Sequence, residues 1–83
     1  MKNRLIVFDS IHQALHAEKV LHKAGLCVEL IPTPREISAS CGQSIATSVI
    51  DLPAIFEAIS REIILYRGVY AADFQQRLFE KLD

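Results

Sequence analysis

The order of apolar patterns along the chain constrains its fold more than any other feature of the sequence. Short runs rich in strand-forming residues occur four times, at residues 4–8, 26–31, 44–50 and 63–71. Apolar residues at helical spacing fill residues 11–24 and a second stretch that begins at Leu52. The predicted order of elements is therefore strand, helix, strand, strand, helix, strand.

This order predicts an α+β domain of the ferredoxin-like βαββαβ type. Such a domain has a four-stranded antiparallel sheet with two helices on one face. Right-handed crossovers would place the strands in the order 4-1-3-2. We expect one domain over residues 1–83, with residues 1–71 as the ferredoxin-like core.

The remaining segment, residues 72–83, is expected to add a C-terminal helix. Its apolar residues recur one turn apart, at Phe74, Leu78 and Leu82. The helix-free face of the sheet leaves apolar surface that needs a cover. Phe74, Leu78 and Phe79 are candidates for that cover, and the alternative is a second subunit in a homodimer.

Signals at the helix ends support these assignments. Ser10 and Gln13 have the spacing of a capping box, in which each side chain bonds a backbone N–H of the other residue. Gly25 can adopt the left-handed conformation that ends a helix. Asp51 is the expected N-cap of the second helix, which would present Leu52 and Ile63 on its apolar face.

Composition excludes several classes of function. The net charge of −1 gives no basic surface for nucleic acid, and no apolar run approaches the roughly 18 residues of a membrane helix. Asp9 comes too early for the apolar region of a signal peptide, so we expect a cytoplasmic protein. There is no glycine-rich phosphate loop, and we expect no cofactor.

The histidines and cysteines offer few ligands for a metal. His12 and His16 are spaced to face the same side of a helix, but no third ligand is evident, so we expect no metal site. Cys27 and Cys41 are too few for a disulfide framework and are expected to be free thiols. Cys27 falls within a predicted strand, as an ordinary half-buried thiol that faces away from the core.

Cys41 is the strongest candidate for chemistry, because it lies among small residues in the longest predicted loop. The topology would place it near Asp9 and the first turn of the first helix, whose N-terminus favours a thiolate. Arg35 could add a positive charge, His12 could exchange a proton with the sulfur, and Gly42 would let backbone N–H groups approach it. Asp9 would oppose ionisation.

A family resemblance rests on this same loop. The segment LIPTPREISASCG at residues 30–42 resembles the signature of the selenium/sulfur carrier-like family, and so do Phe8, the AEK at residues 17–19 and the closing GVY at residues 68–70. The resemblance implies a small bacterial carrier that holds sulfur or selenium on Cys41 as a persulfide or selenosulfide. Its partners would be protein donors and acceptors of that atom.

Three functions remain open at this point. The first is the carrier, which acts as a relay substrate rather than a turnover enzyme, with Cys41 as acceptor assisted by Gly42 and Arg35. The second is a noncatalytic regulatory or adaptor module that binds a partner through its sheet. The third is a thiol enzyme, such as a small sulfurtransferase, with His12 as its base.

Overall fold

The computed structural model describes residues 2–38 and 42–82, and these form five strands and two α-helices. In chain order they are β1 (Arg4–Val7), α1 (Ile11–Lys23), β2 (Glu29–Pro32), β3 (Gln43–Thr47), α2 (Leu52–Arg61), β4 (Gly68–Asp73) and β5 (Leu78–Lys81). A 3-10 turn over Val49–Asp51 leads into α2. The α+β class predicted from the sequence is confirmed.

The five strands form one sheet in the order β2-β3-β1-β4-β5, and all neighbouring strands are antiparallel. The first four strands follow the order 4-1-3-2 that right-handed crossovers predict. The predicted number of four strands is wrong, because β5 pairs with β4 and extends the sheet to five strands. The ferredoxin-like assignment itself stays a prediction.

The prediction of a C-terminal helix over residues 72–83 is wrong, because the chain turns back after β4 and forms β5. The Asp73 carboxylate accepts hydrogen bonds from the backbone N–H groups of Gln75 and Gln76, both at 3.1 Å. Arg77 then adopts a φ of 58°, which reverses the chain. An isolated helix of this length is marginal in water, whereas a strand gains a ladder of hydrogen bonds along the edge of β4.

The main core lies between the sheet and the two helices. α1 contributes Ala14, Ala17 and Leu21, and small alanine side chains let this helix approach the sheet closely. The buried residues that face them come from the strands, from the residue after β1 and from α2, namely Ile6, Phe8, Ile45, Ile55, Ala58, Ile59 and Val69. The helical face predicted for residues 11–24 is therefore confirmed at Ala14, Ala17 and Leu21, whereas Ala24 follows the helix and is exposed.

The opposite face of the sheet is covered by the chain itself. Leu5, Val7 and Ala46 are buried there, and partly buried Ile37 and Phe74 pack against them. The Phe79 ring meets the Phe74 ring edge-on, with 5.8 Å between the centroids. Phe74 was correctly predicted as a cover, whereas Leu78 is largely exposed.

The helix ends agree with the predicted signals only in part. The N–H of Gln13 donates to Ser10 Oγ at 3.1 Å, but the Gln13 side chain accepts from the N–H of Leu65 instead of completing a capping box. Gly25 has the predicted left-handed φ, 82°. Asp51 precedes α2, yet its carboxylate accepts from Ser48 Oγ rather than capping a backbone N–H.

Ile63 is a strained position just beyond α2, and not the buried helical residue predicted from the sequence. Its φ is 55° and its side chain is 81% exposed. The N–H of Ile64 donates to Ile59 O at 2.9 Å and that of Ile63 to Ser60 O, the hydrogen bonds of a Schellman motif. Glycine is the preferred residue at this position, because a β-branched side chain is strained there.

Ile63→Gly is therefore expected to stabilise the protein by about 1 kcal/mol, since little buried surface is lost. Thermal unfolding should then shift upward by about 4–8 °C. Gly25→Ala is the matched control, because φ is 82° there and a Cβ would meet nothing within 4 Å. It should lower the midpoint by a similar amount, and a lower midpoint for Ile63→Gly would contradict this account.

Candidate functional site

One end of the sheet gathers the segments that the sequence marked for chemistry. Val7, the last residue of β1, pairs with Ser44 of β3 and with Gly68 of β4, and Pro32 at the end of β2 pairs with Gln43. α1 starts shortly after β1 ends. The start of α1, the loop of residues 33–42 between β2 and β3, and the segment before β4 therefore meet at this end.

Hydrogen bonds join the two ends of the 33–42 loop, and Thr33 and Gly42 at these ends are called its neck below. The N–H of Thr33 donates to Gly42 O at 3.0 Å, and Thr33 Oγ1 lies 2.6 Å from Oγ of fully buried Ser44. A Cβ on Gly42 would lie 3.4 Å from both Phe8 O and Thr33 Oγ1. Gly42 thus lies against the residue that follows β1, close enough for an added Cβ to touch it.

A small polar cavity of about 60 Å³ opens at this neck, large enough for a few atoms. Its lining comes from β1 and the residues after it, from both halves of the loop, and from the segment before β4: Val7, Phe8, Asp9, Thr33, Ser38, Gly42 and Arg67. A cavity of this size suits an atom-sized polar group better than a substrate molecule.

Arg67 brings a positive charge to the rim of the cavity. Its Nε lies 3.6 Å from Asp9 Oδ1, and its backbone N–H donates to Val7 O at 2.6 Å. Both side chains are exposed, so the pair adds little stability, and the backbone bond to Val7 is what keeps residue 67 beside the neck of the loop. The Asp9 charge, expected to oppose thiolate formation, is therefore partly offset.

Arg67 is the residue that the sequence analysis missed. Residues 63–71 were assigned to one strand, which placed Arg67 inside the sheet, whereas β4 begins only at Gly68. The predicted strand order could have revealed the position of Arg67. In the order 4-1-3-2 the start of the fourth strand lies beside the end of the first, so a cation just before that strand would lie next to Asp9.

Cys41 lies outside the described residues, as do residues 39 and 40. Its neighbour Gly42 lies at the end of the sheet that the topology predicted, beside Phe8 and in the same cavity lining as Asp9. The surroundings of the thiol remain a prediction.

The other predicted site residues are dispersed. Arg35 is exposed in an open groove of about 850 Å³ that shares Thr33 with the cavity lining. His12 is exposed on the first turn of α1 and is not among the described residues that line the cavity. Of the four predicted site residues, Gly42 lines the cavity and Arg35 lines the adjoining groove.

A second ion pair crosses the groove that contains Arg35. Arg77 donates two hydrogen bonds to the Glu36 carboxylate, from Nε at 2.8 Å and from Nη2 at 2.7 Å. These bonds hold the pKa of Glu36 below its usual value and raise that of Arg77. The Arg77 guanidinium also lies over the Phe79 ring, 5.6 Å from its centroid.

The remaining candidates do not form a further site. Cys27 is an exposed free thiol that precedes β2, not the half-buried strand residue expected. His16 Nε2 lies 4.0 Å from Glu62 Oε1. Within residues 2–38 and 42–82, no three His, Cys, Asp or Glu side chains are grouped to hold a metal ion, and no helix is long and apolar enough to span a membrane.

Comparison with known proteins gives one match. No curated protein and no solved structure matches the chain significantly. A family model described as "Putative Se/S carrier protein-like" matches residues 3–71, a range that runs from the start of β1 into β4 and includes Cys41. The end of β4, the turn after it and all of β5 lie beyond that match. Since the match covers most of the sequence, the chain belongs to the Se/S carrier protein-like family.

Proposed function

We propose that this protein carries sulfur or selenium on Cys41, as a persulfide or selenosulfide, between a donor protein and an acceptor protein. The observation that carries the proposal is the family match over residues 3–71, which includes Cys41. The peptide bond to Gly42 tethers this cysteine to the cavity at the end of the sheet. The protein would act as a relay substrate rather than as a turnover enzyme.

The transfer step needs no external oxidant or reductant. The Cys41 thiolate attacks the outer sulfur of a persulfide on the donor cysteine, and a new S–S bond forms to Cys41. The S–S bond of the donor breaks, and its electron pair leaves with the donor cysteine as a thiolate. Delivery to the acceptor repeats this exchange, with the acceptor thiolate as the nucleophile.

The charges at this end of the sheet support such an exchange. A thiolate, and the persulfide anion that follows it, are stabilised by a nearby cation. Arg67 supplies that cation at the rim of the cavity, and the N-terminus of α1 begins at the same end of the sheet. Asp9, whose Oδ1 lies 3.6 Å from the Arg67 Nε, reduces the net effect of that cation.

The other proposed site residues have secondary roles. Gly42 brings the backbone of the loop close to Phe8 and Thr33, since even a Cβ there would already touch Phe8 O and Thr33 Oγ1 at 3.4 Å. Arg35 is exposed in the adjoining groove, and its proposed role is to pair with a carboxylate of the partner protein. His12 stays a prediction as a proton carrier, on the exposed first turn of α1.

The adaptor alternative receives less support. Binding through the helix-free face of the sheet needs that face to be open, but Ile37 and Phe74 already cover Leu5 and Val7. A partner would have to displace the chain's own cover or bind at a sheet edge.

Incubation with a cysteine desulfurase and cysteine tests the proposal directly. Intact-mass spectrometry should show the protein gaining the mass of one sulfur atom, and a thiol reductant should remove it. A selenium-donating lyase with selenocysteine provides the second arm, and a small-molecule polysulfide the third, which needs no protein docking. Absence of a reducible mass gain in all three arms would contradict the carrier function.

A further inference from the structure

The hairpin of β4 and β5 reaches across to the 33–42 loop. Its turn, residues 74–77, carries the Arg77 side chain that donates to both oxygens of Glu36, at 2.8 and 2.7 Å. Paired, nearly parallel bonds of this kind fix the orientation of both groups as well as their distance. Glu36 therefore has a geometrically defined partner 41 residues further along the chain.

Apolar contacts reinforce the same junction. Phe74, at the start of the turn, belongs with Ile37 to the cluster that covers Leu5 and Val7. The Phe79 ring supports Phe74 from the side, and Arg77 lies over Phe79. The loop thus binds the hairpin directly through Glu36, and the next residue, Ile37, packs on the same apolar cluster as Phe74.

Ser38 connects this contact between loop and hairpin to the cavity. The N–H groups of Ile37 and Ser38 both donate to Pro34 O, at 3.0 and 3.2 Å, so residues 34–38 form one compact turn. Ser38, which ends this turn, lines the cavity with Asp9 and Arg67. Anything that fixes Glu36 and Ile37 therefore also fixes this wall of the cavity.

We propose that Arg77 is a positioning residue, which holds the 34–38 turn against the sheet so that Ser38 closes the cavity beside Asp9 and Arg67. The inference rests on the proposed function, because it treats this cavity as the place where the Cys41 sulfur reacts. It assigns a role to the hairpin turn and β5, which the family match does not reach.

The test compares variants in a Cys27→Ser background, where Cys41 is the one remaining thiol. Arg77→Gly removes the side chain while easing the backbone, since φ is 58° at this position. Glu36→Gln removes the partner charge, Arg77→Lys keeps the cation but loses the paired geometry, and Arg61→Gln is the control at an exposed ion pair on α2. Two quantities are measured: amide hydrogen exchange at Ile37 and Ser38, and the pH profile of Cys41 alkylation.

Arg77→Gly and Glu36→Gln should each speed exchange at both amides. Each should also move the alkylation midpoint to higher pH, which lowers the rate at neutral pH about threefold. The proposed function has Cys41 react at this cavity, and a displaced Ser38 wall would let water screen the sulfur from the Arg67 charge. The double variant should add nothing further. Arg77→Lys should recover part of the effect, and Arg61→Gln should match the parent.

An unchanged alkylation profile in Arg77→Gly would overturn the proposal, even if exchange became faster, because a purely structural contact would do only that. Additive effects in the double variant would overturn it as well. Failure of the carrier function is a separate result, since it appears as absent sulfur loading in the parent protein whereas alkylation needs no sulfur donor.

Discussion

Cys41→Ser is expected to abolish sulfur loading completely. A serine hydroxyl stays protonated at neutral pH and cannot displace a thiolate from a donor persulfide, so no covalent adduct can form at position 41. Intact-mass spectrometry after incubation with a desulfurase and cysteine should show the wild type gaining one sulfur atom and the variant gaining none. The substitution exchanges one atom of similar shape, and thermal unfolding should confirm that the variant remains folded.

Cys27→Ser is the matched control for this result. Cys27 is an exposed free thiol before β2, so a reagent that labels any accessible cysteine would label it too. A carrier that depends on Cys41 should load sulfur equally well without Cys27. Equal loading of Cys41→Ser and wild type, or loss of loading in Cys27→Ser alone, would move the reactive sulfur away from the 33–42 loop.

The same series separates the carrier from its two rivals. If neither cysteine loads and the protein still binds a partner unchanged by Cys41→Ser, the adaptor function is favoured. If the protein turns over a rhodanese-type substrate and His12→Ala slows that turnover strongly, a thiol enzyme is favoured. The carrier predicts loading without turnover and a weak effect of His12→Ala, since His12 is exposed and is not among the described residues of the cavity lining.

Local and topological rules sufficed for much of the fold. The face of α1 with Ala14 and Leu21, and the left-handed Gly25 that follows the helix, depend on nearby residues and could be predicted from spacing. The order of the first four strands follows from the handedness of crossovers, a rule that needs only the order of elements. The same order predicts Cys41 near Asp9, and its neighbour Gly42 lies beside Phe8 at that end of the sheet.

The errors concern residues whose conformation depends on distant partners. Residues 72–83 have helical spacing, but β4 has an open edge and Glu36 offers a partner to Arg77, so a hairpin forms instead. Arg67 was missed because the predicted fourth strand began at residue 63, whereas β4 begins at Gly68. Ile63 was assigned to a buried face because nothing in the local pattern reveals a left-handed turn at an isoleucine.

Phe8→Ala is expected to be the most destabilising of the substitutions considered, because the core and the site meet at this residue. The ring is 2% exposed and packs in the cluster between the sheet and the helices, so its removal leaves a cavity in the main core. Truncation of a buried phenylalanine costs about 3–5 kcal/mol. Since small domains have a total stability of about 5–15 kcal/mol, the variant should lose a large share of it.

Thermal unfolding measures this loss, at about 4–8 °C per kcal/mol for a domain of this size. Phe74→Ala is the matched control on the opposite face of the sheet, where the ring is only partly buried, and it should cost about 1–2 kcal/mol. The Phe8 backbone N–H donates to Gln43 O at 3.3 Å, and Phe8 O lies against Gly42. Loss of the ring should therefore also loosen the neck of the 33–42 loop and speed amide exchange at Thr33, whose N–H donates to Gly42 O. A Phe8→Ala variant that unfolds no earlier than Phe74→Ala would show that the helix-covered face does not dominate the stability of this domain.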